Sequence, residues 1–329
     1  MSKAVPALLA VLCLAGVAQA EQKPALLKIG IIGLDTSHVT AFTDLINKDN
    51  KGPLENMRVV AAFPAGSRDL PISADRLAGF TKTLKEKHKV EMVESINDLL
   101  KKVDAVLLES VDGRPHLAQA RPVILAGKPV FIDKPIAASL ADTIEIFDLA
   151  KKHKVPCFSS SSLRFSDKLK NLAKDKSIGK LQRCDTTGPV TPLKGHPELF
   201  FYGIHGIEML FTVLGPGCES VTWKDDVVTG KWKDGRIGTF RAAKTYKATV
   251  TGDKGKAESD GGNYTGLVRE IGTFFRTGKP PVPADETINL VAFMVAAEES
   301  KKANGKSVTI ESVMKKAREE IAARNKKEK

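Results

Sequence analysis

Residues 27–38, LKIGIIGLDTSH, constrain the fold of this chain more than any other segment. A mainly apolar run ends at Gly33, and a polar stretch that suits the beginning of a helix follows directly. Glycine permits the tight turn that such a junction needs. The segment therefore predicts a buried strand, a glycine turn and a helix, the unit from which parallel sheets are built.

Short apolar runs alternate with helical periods from residue 27 to residue 159. The predicted strands are 27–32, 58–63, 90–93, 105–108, 130–132 and 157–159. Amphipathic helices are predicted between them, at 39–47, 74–87, 116–126 and 140–153. Because strands that alternate with helices form parallel sheets with right-handed crossovers, residues 24–157 are predicted to form a parallel, doubly wound Rossmann domain.

From residue 181 the pattern changes to shorter strands separated by Gly, Asp and Lys turns. The predicted strands are 181–187, 220–224, 227–232, 237–241 and 247–250. Predicted helices at 201–214, 264–276 and 287–304 cover one face of the resulting sheet. The whole chain is therefore predicted to be α/β, with an α+β domain at 158–310 that has a large, mainly antiparallel open sheet, followed by a charged C-terminal tail at 311–329.

The first twenty residues have the three parts of a Sec-type signal peptide. Lys3 supplies the positive charge, residues 4–17 the apolar run, and Ala18-Gln19-Ala20 the cleavage site. Because Pro6 and Gly16 interrupt the short apolar run, a membrane-spanning helix is disfavoured. The sequence therefore predicts an exported protein, periplasmic or secreted, with no membrane attachment after cleavage.

Composition and cysteine spacing exclude other classes of function. The formal net charge of +12 comes from scattered lysines and arginines without interleaved aromatic residues, which argues against nucleic-acid binding. After cleavage Cys157, Cys184 and Cys218 remain, so one disulfide is possible. The absence of any Cys-x-x-Cys pair makes a structural zinc site improbable, and no metal is predicted.

The turn after the first strand has one of the three glycines of a dinucleotide-binding fingerprint. Gly33 holds the first position, whereas Asp35 holds the second and His38 the third. A carboxylate at the second position opposes a pyrophosphate unless it points away, although amides at Thr36 and Ser37 remain available to an anion. An alternative is that Asp35 and Thr36 only cap the helix.

The end of the second predicted strand lacks the acidic residue that holds an NAD ribose. Ser67 and Arg68 lie there instead, and this pair favours the phosphorylated ribose of NADP if a dinucleotide binds. The alternative is a surface loop that contains one arginine.

Two further segments carry candidate chemistry. The strand 130–132 leads to Asp133 and Lys134, at the sheet edge where open α/β sheets bind ligands. A lysine there can polarise an oxygen or move a proton, although a surface lysine is the default interpretation. His205 and Glu208 share one helical face, which suits acid–base work or a structural role.

Several motifs, in matching order, resemble those of the Gfo/Idh/MocA family of glucose–fructose oxidoreductase and inositol dehydrogenase relatives. Asp133-Lys134-Pro135 resembles the family's Glu-Lys-Pro, and His116 matches its upstream histidine. Gly203-x-His205-x-x-Glu208 resembles its Gly-x-His-x-x-Asp. Further matches are Gly127-Lys128-Pro129-Val130, Leu163-Arg164-Phe165, Ile178-Gly179-Lys180-Leu181 and Gly278-Lys279-Pro280-Pro281.

The resemblance implies NAD(P) at the junction of the two domains and a sugar-like substrate. It implies that Lys134 lies near the reacting carbon and that His205 is the acid–base or substrate-orienting histidine. The family often has an aspartate four residues before this histidine, where Phe201 stands here, and the adjacent Tyr202 becomes a third catalytic candidate. Arg164 and Glu208 are the candidate substrate contacts.

The function implied is that of an oxidoreductase, NAD- or NADP-dependent, acting on the CH–OH group of a sugar or of a sugar-derived alcohol or ketone. A homo-oligomer, dimer or tetramer, is implied by the same resemblance. The alternatives are a dehydrogenase-like carbohydrate-binding protein without redox activity, and an NAD-assisted lyase or glycosidase. The candidate cofactor contacts are Gly33, Asp35, Thr36, Ser37, His38, Ser67, Arg68, His116, Asp133 and Lys134.

Overall fold

The computed structural model describes residues 1, 25–49, 51–172 and 174–327. Apart from Met1, the predicted signal peptide lies outside the described residues. Over the part of the chain that is described, no helix is both long and apolar enough to cross a membrane.

The N-terminal half forms a six-stranded parallel sheet with helices on both faces. Its strands are β1 (Leu27–Ile32), β2 (Met57–Phe63), β3 (Glu91–Met92), β4 (Ala105–Leu108), β5 (Val130–Ile132) and β6 (Cys157–Phe158). Its helices are α1 (His38–Asp44), α2 (Pro71–Lys87), α3 (Ile96–Leu100), α4 (His116–Leu125) and α5 (Leu140–His153). The strand order β3-β2-β1-β4-β5-β6 confirms the predicted doubly wound Rossmann arrangement, with its switch point between β1 and β4.

Burial and capping explain why these segments adopt their structures. The four residues of β4 are all buried, as expected for a parallel strand covered on both faces. Helix α5 begins after Ser139, whose Oγ accepts a hydrogen bond from the Asp142 amide at 3.0 Å. It ends at Lys154, which adopts the left-handed conformation of a helix C-cap. The two caps therefore fix where helix α5 begins and ends between strands β5 and β6.

The C-terminal half contains a seven-stranded sheet. Its strands are β7 (Leu181–Gly188), β8 (Cys218–Lys224), β9 (Val227–Trp232), β10 (Ile237–Ala242), β11 (Lys247–Gly252), β12 (Lys256–Asp260) and β13 (Val308–Thr309). The strand order is β12-β11-β7-β10-β9-β8-β13. Only the β7–β10 pair is parallel, so the sheet is mainly antiparallel as predicted.

Five helices accompany the second sheet. They are α6 (Asp167–Leu172), α7 (Gly203–Leu214), α8 (Thr265–Thr277), α9 (Ala284–Lys302) and α10 (Ile310–Lys327). Helix α7 approaches the sheet closely, because a Cβ atom at Gly206 would lie 2.3 Å from the Phe240 ring. This close contact brings His205, on the adjacent position of α7, to the edge of the sheet nearest the first domain.

Helix α10 occupies most of the segment that was predicted as a charged tail. Ile310, Val313 and Ala317 are buried, and the helix packs against α5 and α9. Arg324 reaches Asp142 of the first domain at 2.5 Å. The end of the described chain therefore contacts both halves of the molecule.

Candidate active site

A cleft lies where the carboxyl ends of β1, β4 and β5 face the second domain. It has a volume of about 390 Å³. The residues that line it from the first domain are Thr36, Ser37, His38, Arg76, Val111 and Lys134. The facing residues are Ser162, Leu163, Phe201, Tyr202, His205, Tyr246, Gly261, Gly262, Asn263 and Tyr264. The three predicted catalytic residues, Lys134, His205 and Tyr202, therefore meet in one cavity.

Lys134 is buried at the end of β5 beneath two aromatic rings. Its Nζ lies 5.4 Å from the centroid of the Phe201 ring and 5.8 Å from that of Tyr202. Burial lowers the pKa of Lys134, and the negative charge of Asp133 opposes this shift. The ammonium group is thus poorly solvated, which strengthens its interaction with any ligand oxygen in the cleft.

His205 is partly buried on the opposite side of the cleft. Its Nδ1 lies 2.7 Å from Ser161 Oγ, and the Tyr246 ring contacts it edge-on at 5.4 Å between centroids. Burial, together with the positive charge of Lys134, holds the pKa of His205 well below its usual value. At neutral pH this imidazole is therefore uncharged and can orient a hydroxyl group.

His38 and Asp133 form a direct pair between the turn after β1 and the end of β5. His38 Nδ1 lies 2.6 Å from Asp133 Oδ2. Burial opposes ionisation of Asp133, but His38 and Lys134 keep the pKa of its carboxyl below the usual value. The pair crosses the carboxyl end of β4, so His38 places a polar ring in the cleft where dinucleotide turns have glycine.

Asp35 points away from the cleft. Its carboxylate accepts hydrogen bonds from Ser73 Oγ at 2.5 Å and from the Val111 amide at 2.9 Å. Burial raises the pKa of Asp35, with these hydrogen bonds acting in the opposite direction. The carboxylate of Asp35 therefore does not cap helix α1, whereas Thr36 Oγ1 accepts a hydrogen bond at 3.4 Å from the amide of His38, the first residue of that helix. Because it is turned inward, the carboxylate does not face an anion bound at the turn.

The crevice between the ends of β2 and β4 is bridged by the protein's own side chains. Ser67 Oγ donates to Asp112 Oδ2 at 2.5 Å. Arg114 contacts Asp112 and also donates to Asp69 at 2.8 and 2.9 Å. We call this group, Ser67, Asp69, Asp112 and Arg114, the outer clasp. Arg68, the other residue predicted to hold a ribose phosphate, is exposed beside it.

Gly33 and His116 lie behind the cleft. Gly33 has a φ of +87°, and a Cβ atom there would lie 2.4 Å from the Ser110 amide nitrogen. The two ring nitrogens of the buried His116 lie 2.9 and 3.1 Å from the carbonyl oxygens of Ser110 and Ile136. Both residues hold the loop after β4 in place, and neither lines the cleft.

Arg164 and Glu208, the predicted substrate contacts, are bonded to each other outside the lining of the cleft. The Arg164 guanidinium pairs with Glu208 on α7 and, at 2.6 Å, with Glu286 on α9. Glu208 also accepts from Ser160 Oγ at 2.8 Å. Their charges are thus paired within the protein, although the buried Arg164 Nη2 has no hydrogen-bond partner among the described residues. His205 contacts Ser161, whereas Glu208 pairs with Arg164, so the two residues do not act as one pair.

No metal site is evident in the described part of the chain. Its His, Cys, Asp and Glu side chains form no group of three or more that could hold an ion. Cys157, Cys184 and Cys218 are free and buried.

Several lining residues were not found from the sequence. They include Arg76, Tyr246, Asn263 and Tyr264. One signal was present, because the chain has only three tyrosines and all of them line this cleft. Nothing in the sequence distinguishes Arg76 as a lining residue, since it is one of several basic residues on an amphipathic helix.

The fold implies a nicotinamide dinucleotide, and the donors along the cleft suit part of one. Arg76, Lys134 and the hydroxyls of Thr36 and Ser37 line it, while no carboxylate does so among the described residues. Guanidinium and hydroxyl donors suit phosphate oxygens, and Lys134, at the carboxyl end of β5, would lie toward the nicotinamide. The cleft therefore fits the phosphate and nicotinamide portions, whereas the outer clasp covers the crevice that an adenosine portion would use.

The parallel sheet, its switch point and the cleft beside it define a two-domain protein built on a dinucleotide-binding fold. The family profile GFO_IDH_MocA, described as "Oxidoreductase family, NAD-binding Rossmann fold", matches residues 27–161. The first domain therefore belongs to the Gfo/Idh/MocA family, and the resemblance noted in the sequence is confirmed. A comparison with curated proteins finds no match.

Solved structures share the architecture along both domains. A "probable dehydrogenase" from Thermotoga maritima is 21% identical, with a TM-score of 0.72 over 87% of this chain and 100% of that one. Myo-inositol 2-dehydrogenase from Lactobacillus plantarum is 18% identical, with a TM-score of 0.71 over 86% and 99%. Scyllo-inositol dehydrogenase from Lactobacillus casei, with bound NAD(H) and scyllo-inositol, is 16% identical, with a TM-score of 0.71 over 87% and 99%. At these identities the likeness establishes the fold alone.

Proposed function

We propose that the protein is an oxidoreductase that interconverts a sugar-type secondary alcohol and its ketone, with NAD or NADP as the redox partner. The observation that carries this proposal is the convergence of Lys134, His205 and Tyr202 on one cleft at the carboxyl edge of the parallel sheet. Membership of residues 27–161 in an oxidoreductase family supports it. The inositol dehydrogenases with the same fold support a polyhydroxylated substrate.

The walls of the cleft suit a carbohydrate. Phe201, Tyr202 and Tyr246 supply aromatic surface for the apolar face of a sugar ring. Ser162 and Asn263 supply hydrogen-bonding groups for its hydroxyls. A few fixed polar groups within an aromatic wall orient a substrate of this kind.

Lys134 and His205 act on the reacting oxygen from two sides. The buried ammonium of Lys134 donates a hydrogen bond to that oxygen and stabilises the negative charge that develops on it. The uncharged His205, fixed by Ser161, orients the hydroxyl or exchanges its proton. Tyr202 packs beside both and limits access of water.

Arg76, Thr36 and Ser37 would hold the phosphates of a dinucleotide, and Lys134 would lie beside its nicotinamide. When bound, the dinucleotide supplies the acceptor or donor of the hydride. The inward orientation of Asp35 removes the charge repulsion that its position in the turn suggests.

A second candidate is a carbohydrate-binding protein without redox activity. The outer clasp favours it, because these side chains bridge the crevice that an extended dinucleotide uses in this fold. The same aromatic cleft would then bind the sugar, with Lys134 as a polar contact.

The two candidates differ in the consequence of Lys134→Met. Nicotinamide absorbance is followed with a panel of inositols and aldoses, for the wild type, for this variant and for Lys151→Met, an exposed lysine on α5, as control. We expect turnover in the wild type and the control, and a loss of about 10²-fold or more in Lys134→Met.

If Lys134→Met turned over substrate as fast as the wild type, the proposed role of Lys134 and of the cleft would be contradicted. No turnover in the wild type, combined with sugar binding that Lys134→Met weakens, would favour the second candidate.

We further propose that the protein is exported by residues 1–20. The mature form should then begin at Glu21, which N-terminal sequencing of the protein from its native host checks. An intact N-terminus in the native host would contradict export by cleavage.

A further inference from the structure

We infer that His38 is a proton-transfer residue of this site, held by Asp133 so that its Nε2 meets the reacting hydroxyl. This deepens the proposed function and rests on it. It adds a residue to the side of the cleft opposite His205. The two imidazoles then have separate roles, proton exchange for His38 and substrate orientation for His205.

The hydrogen bond to Asp133 fixes which ring nitrogen carries the proton. His38 Nδ1 lies 2.6 Å from Asp133 Oδ2, and the other oxygen of the carboxylate accepts from the Lys134 amide at 2.9 Å. An ionised carboxylate only accepts hydrogen bonds, so Nδ1 of the neutral ring must donate. The lone pair of the neutral imidazole is then on Nε2, as in a histidine that acts as a general base.

Aromatic neighbours hold the ring in this orientation. The Phe42 ring stacks on His38 at 5.2 Å between centroids with an angle of 6° between planes. The Tyr264 ring meets it edge-on at 4.8 Å. With Asp133 these contacts fix the ring at three sides, so little reorganisation is needed when a proton arrives.

His116 is a structural histidine, whereas His38 has one ring nitrogen that a ligand can reach. Both ring nitrogens of His116 lie within hydrogen-bond distance of backbone carbonyls, and the residue is fully buried. The His38 ring lines the cleft, its side chain keeps 12% exposure, and Nε2 has no partner within the described residues. One nitrogen of His38 is therefore used by the fold, and the other is available.

The proton balance of the reaction needs such a group. In the oxidation direction, the substrate O–H bond breaks and the proton moves to His38 Nε2. The electron pair of that bond would form the carbonyl, and a bound dinucleotide, the oxidant of the proposed function, would accept the hydride from the same carbon. Asp133 stabilises the imidazolium that results. His205 has no carboxylate partner, only the Ser161 hydroxyl, so it is the poorer acceptor.

Several charged or titratable groups surround this ring and contribute to any pH profile. They are Asp133, Lys134, Arg76, His205, Tyr202 and Tyr264. For this reason the tests below use the tautomer of His38 and the turnover of a variant, not the pH profile of the wild type.

The first measurement is the tautomer of His38 in ¹⁵N-labelled protein at about pH 8. We expect the neutral ring to carry its proton on Nδ1 and Asp133→Asn to abolish that preference. Addition of myo-inositol should shift the Nε2 resonance. A neutral ring protonated on Nε2 would overturn the inference. So would an Nε2 resonance that myo-inositol does not shift, and neither result needs an assay of turnover.

The second measurement uses His38→Asn, which keeps a donor toward Asp133 but has no Nε2. With a substrate that the wild type oxidises, turnover should fall about 10²- to 10⁴-fold, and added imidazole should restore part of it. His153→Asn, an exposed histidine at the end of α5, is the matched control and should be unchanged.

Undiminished turnover of His38→Asn would overturn the inference while leaving the proposed function intact. No turnover in the wild type would contradict the proposed function. The inference about His38 would then be tested only by the tautomer of its ring and by the shift of its Nε2 resonance with myo-inositol.

Discussion

Asp35 and His38 both replace glycines of a dinucleotide turn, but their side chains point in opposite directions. Asp35 turns inward to Ser73 and Val111, and His38 turns outward to Asp133. These partners are 38, 76 and 95 residues away in sequence. The sequence therefore predicts the turn but not the orientation of its side chains, because distant segments determine that orientation.

Gly33→Ala tests the tight turn. The residue has a φ of +87°, and the added Cβ would lie 2.4 Å from the Ser110 amide nitrogen. Backbone strain alone costs about 1–3 kcal/mol, and the contact adds to it. Urea unfolding should show a loss of stability of at least this size. Gly79→Ala is the control, because Gly79 lies within α2 with no atom near its Cβ position, and it should gain about 0.5–1 kcal/mol.

Glu109→Gln tests a buried carboxyl at the end of β4. Neither oxygen has a hydrogen-bond partner, and burial, with Asp133 nearby, raises the pKa of Glu109 well above its usual value. The folded protein keeps this proton at pH values where the unfolded chain loses it. The contribution of Glu109 to stability is therefore complete below the unfolded-state pKa, about 4.3, and is lost as pH rises toward the folded-state pKa.

Glutamine does not ionise, so the Glu109→Gln variant does not lose stability at this position as pH rises. The stability of Glu109→Gln relative to the wild type should rise by about 1.4 kcal/mol per pH unit within this window. Denaturant titrations at a series of pH values measure the difference. Parallel stability curves would contradict the burial of an ionisable carboxyl at this position.

At the scale of elements, strong patterns with clear ends were predictable and short or polar ones were not. The bounds predicted for β1, β9 and α5 agree with the structure, because apolar runs or caps mark their ends. Strands β12 and β13 were not predicted, since one is largely charged and the other has only two residues. They form because β11 and β8 provide edges for them to pair with.

Arg164→Met tests the ion pairs that join the segment after β6 to α7 and α9. Loss of the guanidinium leaves Glu208 and Glu286 unpaired in a buried site, which costs about 3–5 kcal/mol. Thermal and urea unfolding measure this cost. Adding Glu208→Gln should recover part of the loss, and strict additivity of the two changes would contradict direct coupling.

At the scale of the whole molecule, the site exists only where the two domains meet. Lys134 could be placed from sequence, because the carboxyl end of a parallel strand is a known ligand edge. Tyr246 and Tyr264 could not, because they arrive from the connection between β10 and β11 and from the segment just before α8, both in the second domain. Arg76 reaches the cleft only through the packing of α2 beside the turn.

The outer clasp predicts how dinucleotide affinity responds to its removal. If adenosine uses the bridged crevice, binding must break the hydrogen bonds that link Ser67 to Asp112 and Asp69 to Arg114. The double variant Ser67→Ala/Asp69→Ala should therefore bind NAD or NADP at least about fivefold more tightly by calorimetry. Asp234→Ala, which removes a surface pair with Arg236 in the second sheet, should leave affinity unchanged. Weaker binding in the double variant would mean that these side chains contact the dinucleotide.

The most direct test of the proposed function is to measure whether the cleft holds a nicotinamide dinucleotide. The protein is purified from its native source, any released nucleotide is identified by mass, and NAD and NADP are titrated into the wild type and Arg76→Met. We expect one dinucleotide per chain and weaker binding in Arg76→Met, because Arg76 lines the cleft and in the proposed function holds the phosphates. An empty protein that binds neither dinucleotide at millimolar concentration would contradict the redox function and leave the carbohydrate-binding candidate.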